Sequence, residues 1–193
     1  VLLVTIDTLR ADHLGCYGYS RPTSPHIDAL ATEGILFPNM IAQSSWTRPA
    51  TASILTGLYP PGHGAVTLRQ GLRADIPTFA ESLHASGYQT AGFVTNANVT
   101  ARWGFGRGFE LYEYLPENDK TPNVHVRSDE LNTHVFAWLR DHYRGDRPFL
   151  LYVHATDPHG PYTPPAPFAD RFVENGACER SGSRALLTRL EKR

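Results

Sequence analysis

A dense run of hydroxyl side chains marks residues 44–60, which read SSWTRPATASILTGLYP. Within it, Thr47 precedes a short apolar pattern that ends at Gly57, so it occupies a predicted helix N-cap. A hydroxyl there lies beside free backbone N–H groups and the positive end of the helix dipole, a geometry that binds anions and stabilises a developing oxyanion. Thr47 is therefore either a nucleophile, which also needs a base or a metal, or simply a helix cap.

Arg48 and His159 are the cationic candidates for binding an anionic group. Arg48 adds a fixed positive charge that faces a phosphate or sulfate, unless it is a solvated surface residue. His159 lies in the proline-rich loop TDPHGPYTPP. With an ordinary pKa of about 6.5, it can bind an anionic oxygen or protonate a leaving group. The alternative is a loop histidine bonded to backbone. We interpret His63 and His154 as structural.

Polar residues that follow apolar runs form a second candidate set. In an open α/β sheet, ligands bind beyond the carboxyl ends of the strands, so these side chains are expected to converge at one edge. Asp7 is the candidate metal ligand, because a carboxylate at the end of a buried strand needs a partner. The alternative is that Asp7 caps a turn or pairs with Arg10. The residues in this set are Asp7, Thr95, Asn96, His154, Asp157 and His159.

The elements that must position these residues alternate between strands and helices. Continuous apolar runs predict buried strands, and apolar residues one helical turn apart predict helices. The alternation predicts an α/β fold with a largely parallel or mixed sheet flanked by helices on both faces. GFGRGF lacks the spacing of a phosphate-binding loop and is interpreted as a turn. The predicted strands are 1–6, 88–96 and 148–154, the predicted extended segment is 35–43, and the predicted helices are 23–34, 49–57, 77–87 and 128–142.

Composition excludes several classes of protein. The 193 residues, 41% hydrophobic and 19% charged, indicate a globular domain of ordinary size. A net charge of −1 gives no electrostatic footprint for a nucleic-acid polymer. The apolar run at the start is too short to span a membrane. Both chain ends fall inside predicted elements, the strand at 1–6 and a helix-like LLTRLEKR at 186–193, so we expect a piece of a longer domain.

Five motifs occur in one characteristic order: VLLVTIDTLRADHLGCYGY, SPHIDALATEGILFPN, TRPATASILTGLYPPGHG, GYQTAGFVTN and FLLYVHATDPHGPY. In this order they resemble the sulfatase family of the alkaline phosphatase superfamily, and the similarity covers residues 1–172. The resemblance implies a divalent metal and a covalent intermediate on phosphate or sulfate esters. Residues 1–193 are then the N-terminal portion of a single catalytic domain, because the family's later Asp-His-Gly or Asp-Asn-Gly metal motif has no counterpart before Arg193.

The resemblance implies the identity of one metal ligand and of the nucleophile. The family's first strand ends in one or two acidic ligands, which leaves Asp7 here. Its nucleophile motif is Cys or Ser-x-Pro-Ser-Arg before a helix ending Leu-Thr-Gly, and counting back from LTG places the nucleophile at Thr47 and the motif arginine at Thr51. Thr47 is then also a metal ligand. A rival register places Ser44 and Arg48 at these positions, but it lengthens the run to LTG by three residues.

This sequence also departs from the family pattern. Sulfatases convert the motif cysteine or serine to formylglycine, and threonine is not a known precursor, so no formylglycine is expected. Related branches of the superfamily use an unmodified Thr or Ser alkoxide on phosphorus. The family's Gly-Lys-x-His segment ends here at Thr95, without the lysine or histidine, which leaves Thr95 and Asn96 to bind an anionic oxygen. His159 does match the family's substrate histidine.

The predicted function is therefore a metal-dependent hydrolase or transferase that acts through Thr47. The expected cofactor is Ca, Mn or Zn, and the expected substrate is a small-molecule, glycan-linked or lipid-linked phosphate or sulfate ester. A true sulfatase and a non-catalytic sulfatase-like protein are the alternatives. Residues 1–193 alone are expected to be inactive without the later metal motif. Many relatives work outside the cytoplasm, so the resemblance favours an extracytoplasmic location.

Overall fold

A computed structural model describes residues 1–115, 126–160, 162 and 164–172. Its four strands form one sheet in the order β1-β4-β2-β3, and every neighbouring pair is parallel. This confirms the predicted α/β class with a largely parallel sheet. The strands are β1 Leu2–Ile6, β2 Gln89–Val94, β3 Leu111–Tyr114 and β4 Phe149–Ala155. The helices are α1 Pro25–Glu33, α2 Thr47–Thr56, α3 Pro60–His63, α4 Phe79–Ala85, α5 Ser128–Asp141 and α6 Phe168–Arg171.

Helices cover both faces of the sheet centre, as predicted. Successive side chains of a strand point to opposite faces, and the central strands β2 and β4 are buried on both. Odd-numbered residues such as Phe93 and Val153 pack with the apolar side of α5, which includes Trp138. Even-numbered residues, among them Tyr152, pack with Leu55 of α2. Two hydrophobic cores therefore hold β2 and β4 in place, and His154 of β4 and Asn96 after β2 contribute to the site described below.

The start of α2 differs slightly from the prediction, whereas its predicted end at Gly57 is confirmed. The helix begins at Thr47 itself, and Trp46 is the N-cap, without a side-chain hydrogen bond to the backbone. The prediction that Thr47 is the N-cap is therefore wrong by one residue, and its hydroxyl is not used as a cap. At the other end, Gly57 adopts φ 69° and donates its N–H to the Ser53 carbonyl, a left-handed conformation that glycine adopts without strain.

Two local predictions about extended structure failed. Residues 35–43 form no strand, and their apolar side chains such as Ile35 and Ile41 are exposed. β3 was not predicted, because it has only four residues and they are only partly buried. The turn predicted at 104–109 is confirmed, and Gly108 there packs so closely that a Cβ would lie 2.1 Å from the Glu81 nitrogen. The helix-like segment 186–193 lies outside the described residues.

Candidate active site at the carboxyl end of the sheet

Asp7 is the centre of a polar cluster at the carboxyl end of the sheet. It directly follows β1, and its backbone N–H donates to the Ala155 carbonyl at the end of β4 (2.8 Å). Its Oδ2 accepts hydrogen bonds from Thr47 Oγ1 (3.0 Å) and Asn96 Nδ2 (2.6 Å). The first residue of α2 and the residues after β1 and β2 therefore meet, as expected for ligand sites of open parallel sheets.

The cluster keeps Asp7 ionised although its side chain is only 10% exposed. Burial raises the pKa of Asp7, but interactions with His154, Thr47 and Asn96 together hold that pKa below its ordinary value. All three lie on the Oδ2 side. Oδ1 accepts no hydrogen bond from any residue that the structure describes, so one carboxylate oxygen stays available to a ligand.

His154 belongs to this cluster, although the sequence indicated a structural histidine. It lies in β4 directly opposite Thr5 of β1 and is 2% exposed. Its Nδ1 is within hydrogen-bond distance of Thr5 Oγ1 (2.8 Å) and Tyr152 Oη (3.0 Å). Its Nε2 lies 3.5 Å from Asp7 Oδ2. Only the pairing of β1 with β4 brings His154 to Asp7, and no sequence pattern reports which strands pair.

Thr95 and Asn96 are adjacent in the chain but face different surroundings. Asn96 donates to Asp7, and its Oδ1 accepts the backbone N–H of Asn98, which fixes the amide orientation. Thr95 is buried, and its hydroxyl donates to the His154 carbonyl (2.9 Å) and contacts Thr156 Oγ1 (3.0 Å). Asn96 therefore lines the cluster, whereas Thr95 joins the ends of β2 and β4.

Arg48 does not face the cluster as a substrate-binding residue would. It is 2% exposed, and its guanidinium stacks over the Trp103 ring at 3.8 Å. Its N–H groups donate to the backbone carbonyls of Thr67, Gln70 and Asn98. The prediction that Arg48 binds the substrate is corrected: the side chain ties two loops to α2, because a buried guanidinium needs acceptors for its N–H groups.

His159 and Asp157 lie in the turn after β4. His159 is exposed, and its Nδ1 lies 2.7 Å from the Gly160 carbonyl. Its role as an acid or anion ligand stays a prediction. Asp157 accepts hydrogen bonds from the backbone N–H and hydroxyl of Ser128, the first residue of α5. Asp157 therefore fixes the start of that helix.

The comparisons with known proteins agree with this fold. A sequence profile of the sulfatase family matches residues 1–186. The chain belongs to the sulfatase family. This sulfatase-family chain is 28% identical over 149 residues to an ulvan-active sulfatase of Formosa agariphila, an alignment that covers 77% of this chain and 28% of that protein. It spans less than half the length of the curated relatives it matches.

Two solved structures show the fold of this sulfatase-family chain. The phosphonate monoester hydrolase of Agrobacterium radiobacter matches with a TM-score of 0.72 at 24% identity, over 86% of this chain and 42% of that one. The C-terminal periplasmic domain of EcEptC from Escherichia coli, in complex with Zn, matches with a TM-score of 0.69 at 20% identity, over 95% of this chain and 51% of that one. At these identities the likeness supports the alkaline phosphatase and sulfatase fold alone.

Two oxygen atoms of this sulfatase-family chain lie together at the carboxyl end of the sheet. Asp7 Oδ1 and the Thr47 hydroxyl are oxygen atoms of the kind that bind Ca²⁺, Mn²⁺ and Zn²⁺. Within the described ranges, no group of three or more His, Cys, Asp or Glu side chains is placed to hold a metal ion. The metal-binding role of Asp7 and Thr47 stays a prediction. No helix in the same ranges is long and apolar enough to cross a membrane.

Proposed function

We propose that this chain forms part of a metal-dependent enzyme that cleaves or transfers phosphate or sulfate esters through a covalent intermediate on Thr47. One observation carries the proposal: Thr47 Oγ1 donates to Asp7 Oδ2 (3.0 Å) at the carboxyl end of the sheet. Forty positions separate the two residues in sequence, yet they are those that family resemblance assigns as nucleophile and metal ligand. The sulfatase family membership supports the ester substrate class.

The Thr47 hydroxyl does not cap α2, which supports its role as the nucleophile. The hydrogen bond to Asp7 orients the hydroxyl hydrogen and leaves the oxygen lone pairs free. The backbone N–H groups of Thr47 and Arg48 begin α2 and have no acceptor among the described residues, so they can bind an anionic oxygen of the ester. A divalent cation held by Asp7 and Thr47 would lower the pKa of the hydroxyl and neutralise charge on the ester oxygens.

The covalent step is a displacement at phosphorus or sulfur. Thr47 Oγ bonds to phosphorus or sulfur, the bond to the ester oxygen breaks, and the hydroxyl proton passes to solvent. We assign His159 as the general acid that protonates the leaving oxygen. Water then releases the product in a hydrolase, or an acceptor alcohol does so in a transferase, and Thr47 recovers its proton.

Phosphate esters are the first substrate class that we propose, because an unmodified threonine suits attack on phosphorus. Sulfate esters are the second class, favoured by family membership and by the name of the Formosa relative. In either class the ester can be a small molecule or be linked to a glycan or lipid. The periplasmic origin of the EcEptC domain favours an extracytoplasmic location.

Paired substrates test the proposal in the full-length protein. After chelation, Ca²⁺, Mn²⁺ or Zn²⁺ is added back, and turnover of an aryl phosphodiester is compared with that of the matching aryl sulfate. We expect faster phosphodiester cleavage that requires a metal. Preferred sulfate cleavage would support the second class. Metal-independent turnover, or no turnover of either ester and no transfer to an alcohol, would contradict the proposal.

His159→Ala tests the assignment of the general acid. Loss of an acid slows esters with poor leaving groups more than activated aryl esters, since only the former need a proton at the leaving oxygen. We expect a loss of about 10²-fold or more for an alkyl ester and a much smaller loss for a nitrophenyl ester. Equal losses for both would show that His159 binds the substrate without donating a proton.

A further inference from the structure

The Nε2 atom of His154 is a buried polar atom without a hydrogen-bond partner among the described residues. Leaving such a group unpaired costs free energy, and native structures rarely do so without a reason. The nearest charge is the Asp7 carboxylate, whose Oδ2 lies 3.5 Å away. This separation is slightly longer than a formed hydrogen bond, so a small shift of either side chain would form one.

The other side of the ring indicates where the proton lies. Two hydroxyls, Thr5 Oγ1 and Tyr152 Oη, converge on Nδ1 at 2.8 and 3.0 Å. Burial raises the pKa of Tyr152, so its hydroxyl keeps its proton and can donate. We take Nδ1 as the acceptor of the Tyr152 hydroxyl, which is the form of the neutral ring that carries its proton on Nε2. That arrangement turns an N–H, instead of a lone pair, toward the negative charge of Asp7.

The two carboxylate oxygens of Asp7 have different surroundings. Oδ2 receives Thr47 and Asn96 and faces His154, whereas Oδ1 accepts nothing from the described residues. Thr47, Asn96 and His154 all approach Oδ2, so Oδ1 is the oxygen that stays open to a ligand. A metal ligated by Asp7 would therefore bind Oδ1. Any group that holds Oδ2 in place then also sets the direction of Oδ1.

We propose that His154 is a positioning residue for Asp7: its Nε2–H donates to Oδ2 and keeps Oδ1 directed toward the metal. The inference rests on the proposed function, because it takes Asp7 as a metal ligand. Partners that hydrogen-bond to metal ligands fix ligand orientation, and their loss typically weakens metal affinity 10–100-fold. His154 acts through Asp7 and touches neither metal nor ester.

Two substitutions of similar chemistry distinguish a positioning role of His154 from a purely structural one. His154→Gln keeps an amide donor at the distance of Nε2, whereas His154→Asn reaches only as far as Nδ1 and loses the donor toward Asp7. In the full-length protein, we expect His154→Asn to weaken Mn²⁺ affinity by about 10-fold or more and His154→Gln to restore it to within about threefold of wild type. Titration calorimetry gives the affinities, and thermal unfolding checks that both variants fold.

Asp7→Asn separates failure of this inference from failure of the proposed function. Unchanged Mn²⁺ affinity in Asp7→Asn would remove the proposed metal site itself. Lost affinity in Asp7→Asn, together with wild-type affinity in both His154 variants, would overturn the positioning role alone. Equal losses in His154→Asn and His154→Gln would also overturn it, since the donor would then not be what matters.

The protonation state of His154 gives a readout that does not depend on metal or activity. Nitrogen-15 NMR of the imidazole rings distinguishes the two neutral forms, and loss of one signal in His154→Gln assigns it. We expect the hydrogen on Nε2 and an acceptor at Nδ1. A hydrogen on Nδ1 alone would leave Nε2 without a proton to donate and would overturn the inference, whatever the metal titration shows.

Discussion

Two regions of this protein each combine a hydroxyl of α2 with a nearby histidine. At the sheet edge, Thr47 donates to Asp7 Oδ2, which lies 3.5 Å from His154 Nε2. Near the end of the helix, Ser53 Oγ lies 3.1 Å from His63 Nε2. Ser53 also lines a cavity of about 230 Å³, so contact with histidine and access to a cavity alone would suggest a nucleophile there too.

The two regions differ in the groups that surround the histidine and the hydroxyl. His63 Nδ1 accepts the backbone N–H of Ala65 (3.1 Å), and burial lowers the pKa of His63, so the ring stays neutral. Its proton is then on Nε2 and points toward Ser53, which leaves no lone pair to accept the serine proton. In the part of the chain that the structure describes, no carboxylate is hydrogen-bonded to Ser53 or His63, in contrast to Asp7 beside Thr47. A hydroxyl beside a histidine is therefore not enough to make a nucleophile.

The sharpest test of this comparison is Thr47→Ala against Ser53→Ala in the full-length protein. We expect Thr47→Ala to lower ester turnover by at least about 10³-fold, because the nucleophile is lost. Its stability should fall by only about 1 kcal/mol, since the hydroxyl does not cap the helix. Ser53→Ala should keep turnover within about threefold. Comparable losses of turnover in the two variants would remove the distinction between the regions.

Arg48→Met tests whether the residue beside Thr47 is structural. Removing the buried guanidinium breaks its hydrogen bonds to the backbone carbonyls of Thr67, Gln70 and Asn98, so we expect a loss of about 3 kcal/mol in the free energy of unfolding. Urea unfolding gives this value. The KM of the folded fraction should stay close to wild type. A large rise in KM with unchanged stability would return Arg48 to the substrate site.

His63→Ala probes the Ser53 region by itself. The substitution leaves a small cavity and an unpaired Ala65 N–H, so we expect about 2 kcal/mol of destabilisation. Turnover per folded molecule should be unchanged, because His63 has no contact with Asp7 or Thr47. Denaturant unfolding and turnover measured in the same sample separate the two effects. A fall in turnover beyond the folded fraction would connect this region to catalysis.

Asp28→Asn has the smallest expected effect. The Asp28 carboxylate accepts hydrogen bonds from the loop that precedes α1. Burial raises the pKa of Asp28, but donors from Cys16 and Ser24 hold that pKa below its ordinary value. Its stabilisation is then present above an unfolded pKa of about 3.9 and is lost as pH falls through the folded pKa. Thermal unfolding should show wild type more stable than Asp28→Asn at pH 7. The difference should shrink near pH 3, and a constant difference would contradict this.

The strands and helices were predictable to different degrees. β2 and β4 are buried on both faces, so their largely apolar sequences made them predictable. β1 was also predicted as a strand, but the prediction that it is buried was wrong for one face, where Leu2 and Val4 are exposed. β3 could not be recognised, since LYEY is short and partly exposed. The prediction of an extended segment at 35–43 was wrong for a different reason. Residues such as Ile35 and Ile41 are apolar but exposed, and apolar character alone does not make a strand.

The candidate site was predicted only in part. Asp7, Asn96 and Thr47 were recognised as polar residues beside buried elements, and they meet. His154 was interpreted as structural, because a polar residue inside a buried strand is usually a satisfied core group. Arg48 was assigned to substrate, because the sequence does not show the loops that pack around it. The catalytic and metal-binding roles of these residues stay predictions.

The sequence by itself determined the α/β class, the two-sided burial of the central strands and the chemical types near each strand end. These depend on local patterns of apolar residues, glycine and proline. Only the tertiary structure decided which side chains meet, because Asp7 and Asn96 are 89 positions apart and are joined by strand order. Thr47 and Arg48 are adjacent, yet successive residues of a helix point about 100° apart. One side chain therefore reaches the sheet edge, and the other is buried among loops.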